Sequence, residues 1–267
     1  MWYIPTMRTP RWFLLAALVW LAACTAQPAG TSTAALATAT ATATALPVPV
    51  VVALPQALEP ARPALETCAR DLNLPLAVFS QPQETPPPAT ANLRLWWGDT
   101  PPQGWRAYPL GGERLVAIVH GEHGATLDEA ALRRMVMGQV RVWANAAATP
   151  PPVALWLPMP GTAARARLDA WLAGAPRRGD ASLAPSPQAM LTAVRDDAAA
   201  LGFVPAAWLQ AFPEEAQGVQ MLNVHPQAWE APLLALLRPD APPTAVALVG
   251  CLQQGTGHTL LQGRYLP

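Results

Sequence analysis

The chain has 267 residues, 52% of them apolar, which is enough for two lobes of roughly one hundred residues each with a sizeable core. Seventeen basic residues balance seventeen acidic ones, which argues against a nucleic-acid binder with its basic stripe, and no nucleic-acid partner is expected. Every basic residue is Arg; without Lys there is no amine for a Schiff base or a phosphate grip.

At the N-terminus, Arg8 and Arg11 flank the start of an unbroken apolar run from Trp12 to Ala23. The run is shorter than the roughly twenty residues a bilayer needs, and a positive start before a short apolar run fits a secretory signal over residues 1–23. It ends in Leu21-Ala22-Ala23-Cys24, which resembles a bacterial lipobox. That resemblance implies cleavage before Cys24 and lipid on its sulfur, an anchor on the outer side of the cell membrane. Residues 24–47 are small, polar and repetitive (…TSTAALATATATATALP), with nothing large to pack, and are expected to form a disordered tether.

The body begins with VPVVVAL (48–54), a β-branched run expected as a buried strand. Pro60 and Pro63 suit the first turn of a helix running to Leu72. Strands are expected over 74–79, 92–98, 105–110 and 114–120, the last two divided by Gly111-Gly112, with a Pro-rich loop over 80–91. Thr126, with Glu129 three residues on, has the spacing of a capping box, and Gly138 has the place of a helix end. A strand over 153–158 leads to Pro160-Gly161-Thr162 and a helix with Leu168, Trp171 and Leu172 on its buried stripe. A short strand (181–185), a helix opened by Ser186-Pro187 with Met190, Leu191 and Val194 inward, and a strand (201–205) follow. A strand over 219–224, a stretch around Trp229, a helix near 243–253 and a final strand near 259–265 complete the chain. Alternating β and α elements point to α/β domains with mostly parallel sheets. No internal repeat is visible. Cys68 and Cys251 can pair outside the cytoplasm, and two separated buried thiols fit the sequence as well.

Three blocks in order carry a resemblance: RLVAIVHGEHGATLDEAALRRMVMGQVRVWAN (114–145, with Gly138 before Trp143), LWLPMPGTAARARLDAWL (155–172) and APSPQAMLTAVRDDAAALGFVPAAWL (184–209). Together they resemble the phosphate-binding-like type 2 periplasmic binding proteins of ABC transporters. The resemblance implies a two-lobed α/β fold, each lobe a mostly parallel sheet flanked by helices. Residues 48–118 and 206–267 would form lobe 1, and residues 119–205 lobe 2. It implies an extracytoplasmic solute-binding function, with a small oxyanion or organic anion between the lobes and an ABC permease as partner.

The family's Gly-Ser-Gly-Thr-Arg helix start becomes Gly161-Thr162-Ala163-Ala164-Arg165 here, keeping backbone donors, one hydroxyl and one guanidinium. The resemblance makes Gly161, Thr162, Ala163 and Arg165 ligand contacts, joined by Ser186 at the next helix start and Gly98-Asp99-Thr100 after the third strand. Residue by residue, Arg165 also suits a solvated first helical turn, Ser186 a plain N-cap and Gly98–Thr100 a plain turn. Two lost side-chain contacts, each worth roughly 1.5–3 kcal/mol, predict weak phosphate binding.

No Gly-x-Ser-x-Gly nucleophile motif occurs, and no enzymatic activity is expected. His120-Gly-Glu-His123 has metal-like spacing but supplies too few ligands for structural zinc, so it is read as a polar hinge loop, with no metal or cofactor expected. The rival to transport is a degenerate lipoprotein of the same fold, acting as a sensor or interaction module.

Overall fold

The computed structural model describes residues 48–121, 127–143 and 151–267. The signal segment, Cys24, the tether, His123 and Thr126 lie outside the described residues. No helix among the described residues is long and apolar enough to cross a membrane.

In chain order the elements are β1 (Val50–Pro55), a 3-10 segment (Gln56–Ala61), α1 (Arg62–Asp71), β2 (Leu76–Gln81), β3 (Leu93–Trp97) and β4 (Arg106–His120). Then come α2 (Glu129–Val136), β5 (Ala154–Pro158), α3 (Ala163–Leu172), β6 (Ser182–Ala184), α4 (Pro187–Asp196) and β7 (Ala200–Pro205). α5 (Ala206–Ala211), β8 (Val219–Met221), β9 (Glu230–Leu237), α6 (Pro243–Gln254) and α7 (Thr256–Gln262) complete the body.

The strand pairing repeats itself. In the first half the order is β2-β1-β3-β9-β4, and in the second it is β6-β5-β7-β4-β8. Each half has three parallel strands, then a strand inserted from elsewhere in the chain, then a last antiparallel strand. β4 serves both: Arg106–Arg114 pair with β9, and Leu115–Val119 pair with β7. This makes the fold a two-lobed α/β architecture whose halves share crossing strands. The repeat is invisible in sequence because it is one of topology, and any suitably placed apolar runs can satisfy it.

Where the chain departs from its sequence pattern, the cause is tertiary. Residues 106–120 form one strand, not two. Gly111, at φ +144°, leaves room for the Leu266 carbonyl, which would lie 2.7 Å from a Cβ there. Gly112 and Leu266 exchange both backbone hydrogen bonds at 2.8 Å, so the glycines admit a neighbour instead of ending the strand. Residues 259–265, expected as a strand, lie mostly in α7, where Gly257 packs on Cys68. The stretch after Trp229 is β9, whose Leu- and Ala-rich sequence has little strand preference; its pairing with β3 on one side and β4 on the other overrides that. The cap of α2 is Asp128, whose carboxylate accepts from the Ala131 N–H at 2.6 Å. Gly138, at φ +77°, follows that helix as expected. Cys68 and Cys251 are joined in a disulfide.

The core is continuous across the two halves. Trp229 meets Trp171 of α3 and Phe203 of β7 edge-on, at centroid distances of 5.2 and 5.8 Å. α4 lies so close to β7 that a Cβ on Gly202 would come within 2.6 Å of Met190 Sδ and 2.8 Å of Val194 Cγ2. Gly202→Ala is therefore expected to cost roughly 1–3 kcal/mol through overpacking. Urea unfolding checks this, and a midpoint equal to the parent's would show that α4 yields freely.

Candidate functional site

The carboxyl ends of β1, β5 and β7 meet at a cleft, with the starts of α3 and α4 beside them. In open α/β sheets this is where ligands collect, because helix starts bring unpaired N–H groups and partial positive charge. Thr162, Ala163 and Ser186 line the cleft, together with Gln56, Met159 and Phe203.

Local sequence explains the two helix starts. Gly161, at φ +80°, makes the turn that Pro160 leads into. Thr162 caps α3: its Oγ1 accepts from the Arg165 N–H at 3.2 Å and donates to the Met159 carbonyl at 2.8 Å. Both roles of that hydroxyl are thus taken. Ser186 caps α4, accepting from the Ala189 N–H at 3.1 Å, and its own O–H is still free to donate.

Arg165 does not line the cleft. Its side chain is buried, with Nη1 donating to the Pro158 carbonyl at 2.9 Å and Nε to Asp169 Oδ1 at 3.1 Å. Arg177 pairs with the same carboxylate. Gly161 lies next to the cleft lining, against Glu84. Gly98, Asp99 and Thr100 are not part of this cleft. Asp99 accepts from Arg167 Nη1 at 2.7 Å and faces a second groove, and Thr100 is exposed. The expected set therefore divides into Thr162, Ala163 and Ser186 in the cleft, Gly161 and Arg165 beside it, and Gly98–Thr100 elsewhere.

Sequence reasoning marks Leu54-Pro55-Gln56 as a departure from the Gly/Ser/Thr-rich turn that the resemblance implies after the first strand, but does not single out the other prolines. Pro55, Pro82, Pro158, Pro185, Pro187 and Pro205 all line the cleft. Each lacks the N–H that an oxyanion needs from the backbone. The signal was legible, since three of them end strands β1, β5 and β7. Gln83 was missed as well. Gln83 is committed, exchanging two hydrogen bonds with the Trp97 backbone at 2.9 and 3.0 Å. The space left in the cleft is about 30 Å³. Among the described residues no group of three or more His, Cys, Asp or Glu gathers for a metal.

No protein-family model matches the sequence, and no curated protein matches it. Solved structures do match in three dimensions. A phosphate ABC transporter substrate-binding protein from Clostridium perfringens, solved with bound phosphate, superposes with TM-score 0.67 over 82% of this chain and 98% of its own, at 10% identity. The chain has the fold of the phosphate-binding-like type 2 periplasmic binding proteins. An ABC-type phosphate transport receptor from Vibrio cholerae gives TM-score 0.60 over 82% of this chain and all of its own, at 15% identity. The regulatory domain of OxyR2 from Vibrio vulnificus gives 0.59 over 80% and 96%, at 10% identity. This fold thus serves both solute-binding and regulatory proteins, and at these identities the likeness concerns the fold alone.

Proposed function

We propose that this chain is an extracytoplasmic, lipid-anchored solute-binding protein. Cys24 carries the lipid, residues 24–47 hold the body off the bilayer, and the body delivers a small ligand to an ABC permease. Residues 48–118 with 206–267 act as one lobe and 119–205 as the other, with the ligand between them. The protein carries no catalytic activity of its own. The observation that carries this reading is the meeting of the α3 and α4 starts with the carboxyl ends of β1, β5 and β7 at one cleft. The Cys68–Cys251 disulfide supports an oxidising compartment.

Contacts to ligand at the deep cleft come from the Ser186 hydroxyl, the Gln56 amide and backbone N–H groups around Ala163. With Arg165 tied to Asp169 and six prolines on the wall, inorganic phosphate binds weakly. A thermal-shift screen of the full chain against phosphate, sulfate, molybdate and small organic anions tests the reading. A true ligand at one hundred times its dissociation constant adds about 2.7 kcal/mol, and phosphate is expected to add far less at equal concentration. The absence of any stabilising ligand would instead favour a sensor or interaction module without transport. That second reading is supported by the cleft's small free volume of about 30 Å³.

A further inference from the structure

No charged side chain lines the deep cleft. Its walls are the six prolines, four alanines, Met159, Met190 and Phe203, and its four polar side chains, Gln56, Gln83, Thr162 and Ser186, are all neutral. Two of these four are taken by the protein itself. Gln83 is bonded to the Trp97 backbone, and Thr162 to the Arg165 N–H and the Met159 carbonyl. Ser186 keeps its O–H to donate, and among the described residues no hydrogen bond falls on the Gln56 amide. The cleft is thus an apolar enclosure with two neutral polar groups open to a ligand, the usual make-up of a small-molecule site.

The backbone does little to make up for the missing charge. A helix start leaves its first N–H groups unpaired. In α4 the first residue is Pro187, which has none, and the Ala189 N–H is bonded to Ser186. In α3 the Arg165 N–H is bonded to Thr162, which leaves those of Ala163 and Ala164. The charges beside the cleft do not favour an anion either. Arg165 is turned to the Pro158 carbonyl and to Asp169. Glu84, one residue beyond the lining, donates its N–H to the Gly161 carbonyl at 3.1 Å, and its Oε2 would lie 3.4 Å from a Cβ on Gly161. Among the described residues no cation pairs with that carboxylate.

These features select against charge. An anion entering the cleft gives up its hydration and meets no counter-charge, only the partial charges of two helix starts, with Glu84 opposing it from the side. A neutral molecule loses far less hydration. Proline, methionine and phenylalanine surface receives its apolar part, and the two methionines can adapt to its shape. A carbonyl oxygen on it accepts from the Ser186 hydroxyl and the Gln56 amide. We propose that the cleft takes a small uncharged molecule with an apolar body and a carbonyl-type acceptor, and discriminates against oxyanions. The proposal rests on reading the chain as a solute-binding protein and names the ligand class of that same site.

Titration calorimetry of the full chain against pairs of equal shape and different charge tests it: acetamide with acetate, isobutyramide with isobutyrate, and benzamide with benzoate, with phosphate and sulfate alongside. At least one amide is expected to bind saturably, roughly tenfold or more tightly than its own carboxylate and than either inorganic ion. Ser186→Ala removes the hydroxyl donor, for an expected loss of about three- to tenfold. It also removes the cap of α4, so Met159→Ala, at a partly exposed position on the wall, stands in if that variant misfolds, with an expected loss of similar size. Glu84→Gln is expected to narrow the gap between amide and carboxylate by strengthening the carboxylate about two- to fivefold, and an unchanged gap overturns the part assigned to Glu84. A carboxylate, phosphate or sulfate that binds more tightly than every amide overturns the ligand class and leaves the solute-binding reading standing. Amide binding that survives both Ser186→Ala and Met159→Ala overturns the site. No binding by any of these molecules at millimolar concentration overturns both the ligand class and the solute-binding reading.

Discussion

Replacing Cys68 and Cys251 together with Ser is expected to lower the melting temperature by roughly 5–15 °C, the equivalent of about 2–4 kcal/mol in a domain of this size. The bond joins α1 to α6 across a sequence separation of 183 residues. In the chain-entropy account, a cross-link over so long a loop removes much of the freedom of the unfolded chain; the cost of losing it rises only slowly with loop length and approaches about 5 kcal/mol here. The native side adds packing to this. Cys68 is fully buried, and Gly257 at the start of α7 sits directly against its sulfur. Thr256 ties the same corner down, donating to Asp71 Oδ2 at 2.6 Å. Thermal unfolding with and without reductant checks the prediction. If the parent protein melts at the same temperature in both, the bond contributes nothing and its role is confined to another stage, such as folding.

The local parts of this architecture were legible because their causes are local. The β-branched run of β1 and the apolar runs of β3, β5 and β7 need only a buried sheet position to become strands. Thr162 and Ser186 cap α3 and α4 through bonds that span three residues, so their spacing foretold them. What stayed hidden depends on distant partners. β9 is a strand because β3 and β4 lie on either side of it, and the Gly111-Gly112 pair continues β4 because Leu266 arrives from the far end of the chain. The same limit applied at the site. A helix start with Arg at its third position looks like an anion grip, yet the direction of that side chain is not written in the spacing. Asp169, four residues on, was the visible clue that Arg165 already had a partner on its own helix.

Glu113→Gln is expected to stabilise the protein above neutral pH and leave it nearly unchanged in acid. Glu113 lies on β4 opposite Ala231, one residue before the last β4–β9 pair, where the strand passes from one half to the other. It is 2% exposed. Burial pushes its carboxyl from 4.5 up to about 8, although the backbone N–H groups of Arg114, Ala207 and Ala206 favour the charged form. Its Oε1 accepts from the Arg114 N–H at 2.8 Å, whereas Oε2 and the buried Tyr265 hydroxyl, which is also pushed upward by burial and by Glu113 itself, have no partner.

The sign follows from proton counting. Between pH 4.5 and about 8 the folded chain holds a proton on Glu113 that the unfolded chain has released. Stability from this group is therefore complete below the lower value, declines by up to about 1.4 kcal/mol per pH unit through the window, and is gone above the upper one. The full loss is bounded at about 5 kcal/mol. Gln keeps the shape and cannot ionise, so the parent's melting temperature should fall relative to the variant's across the window, and the variant should melt several degrees higher at about pH 8.5. Two melting curves that stay parallel from pH 5 to pH 8.5 would mean that Glu113 reaches water or a counter-charge when ionised, and that the passage between the halves is not sealed around a neutral acid.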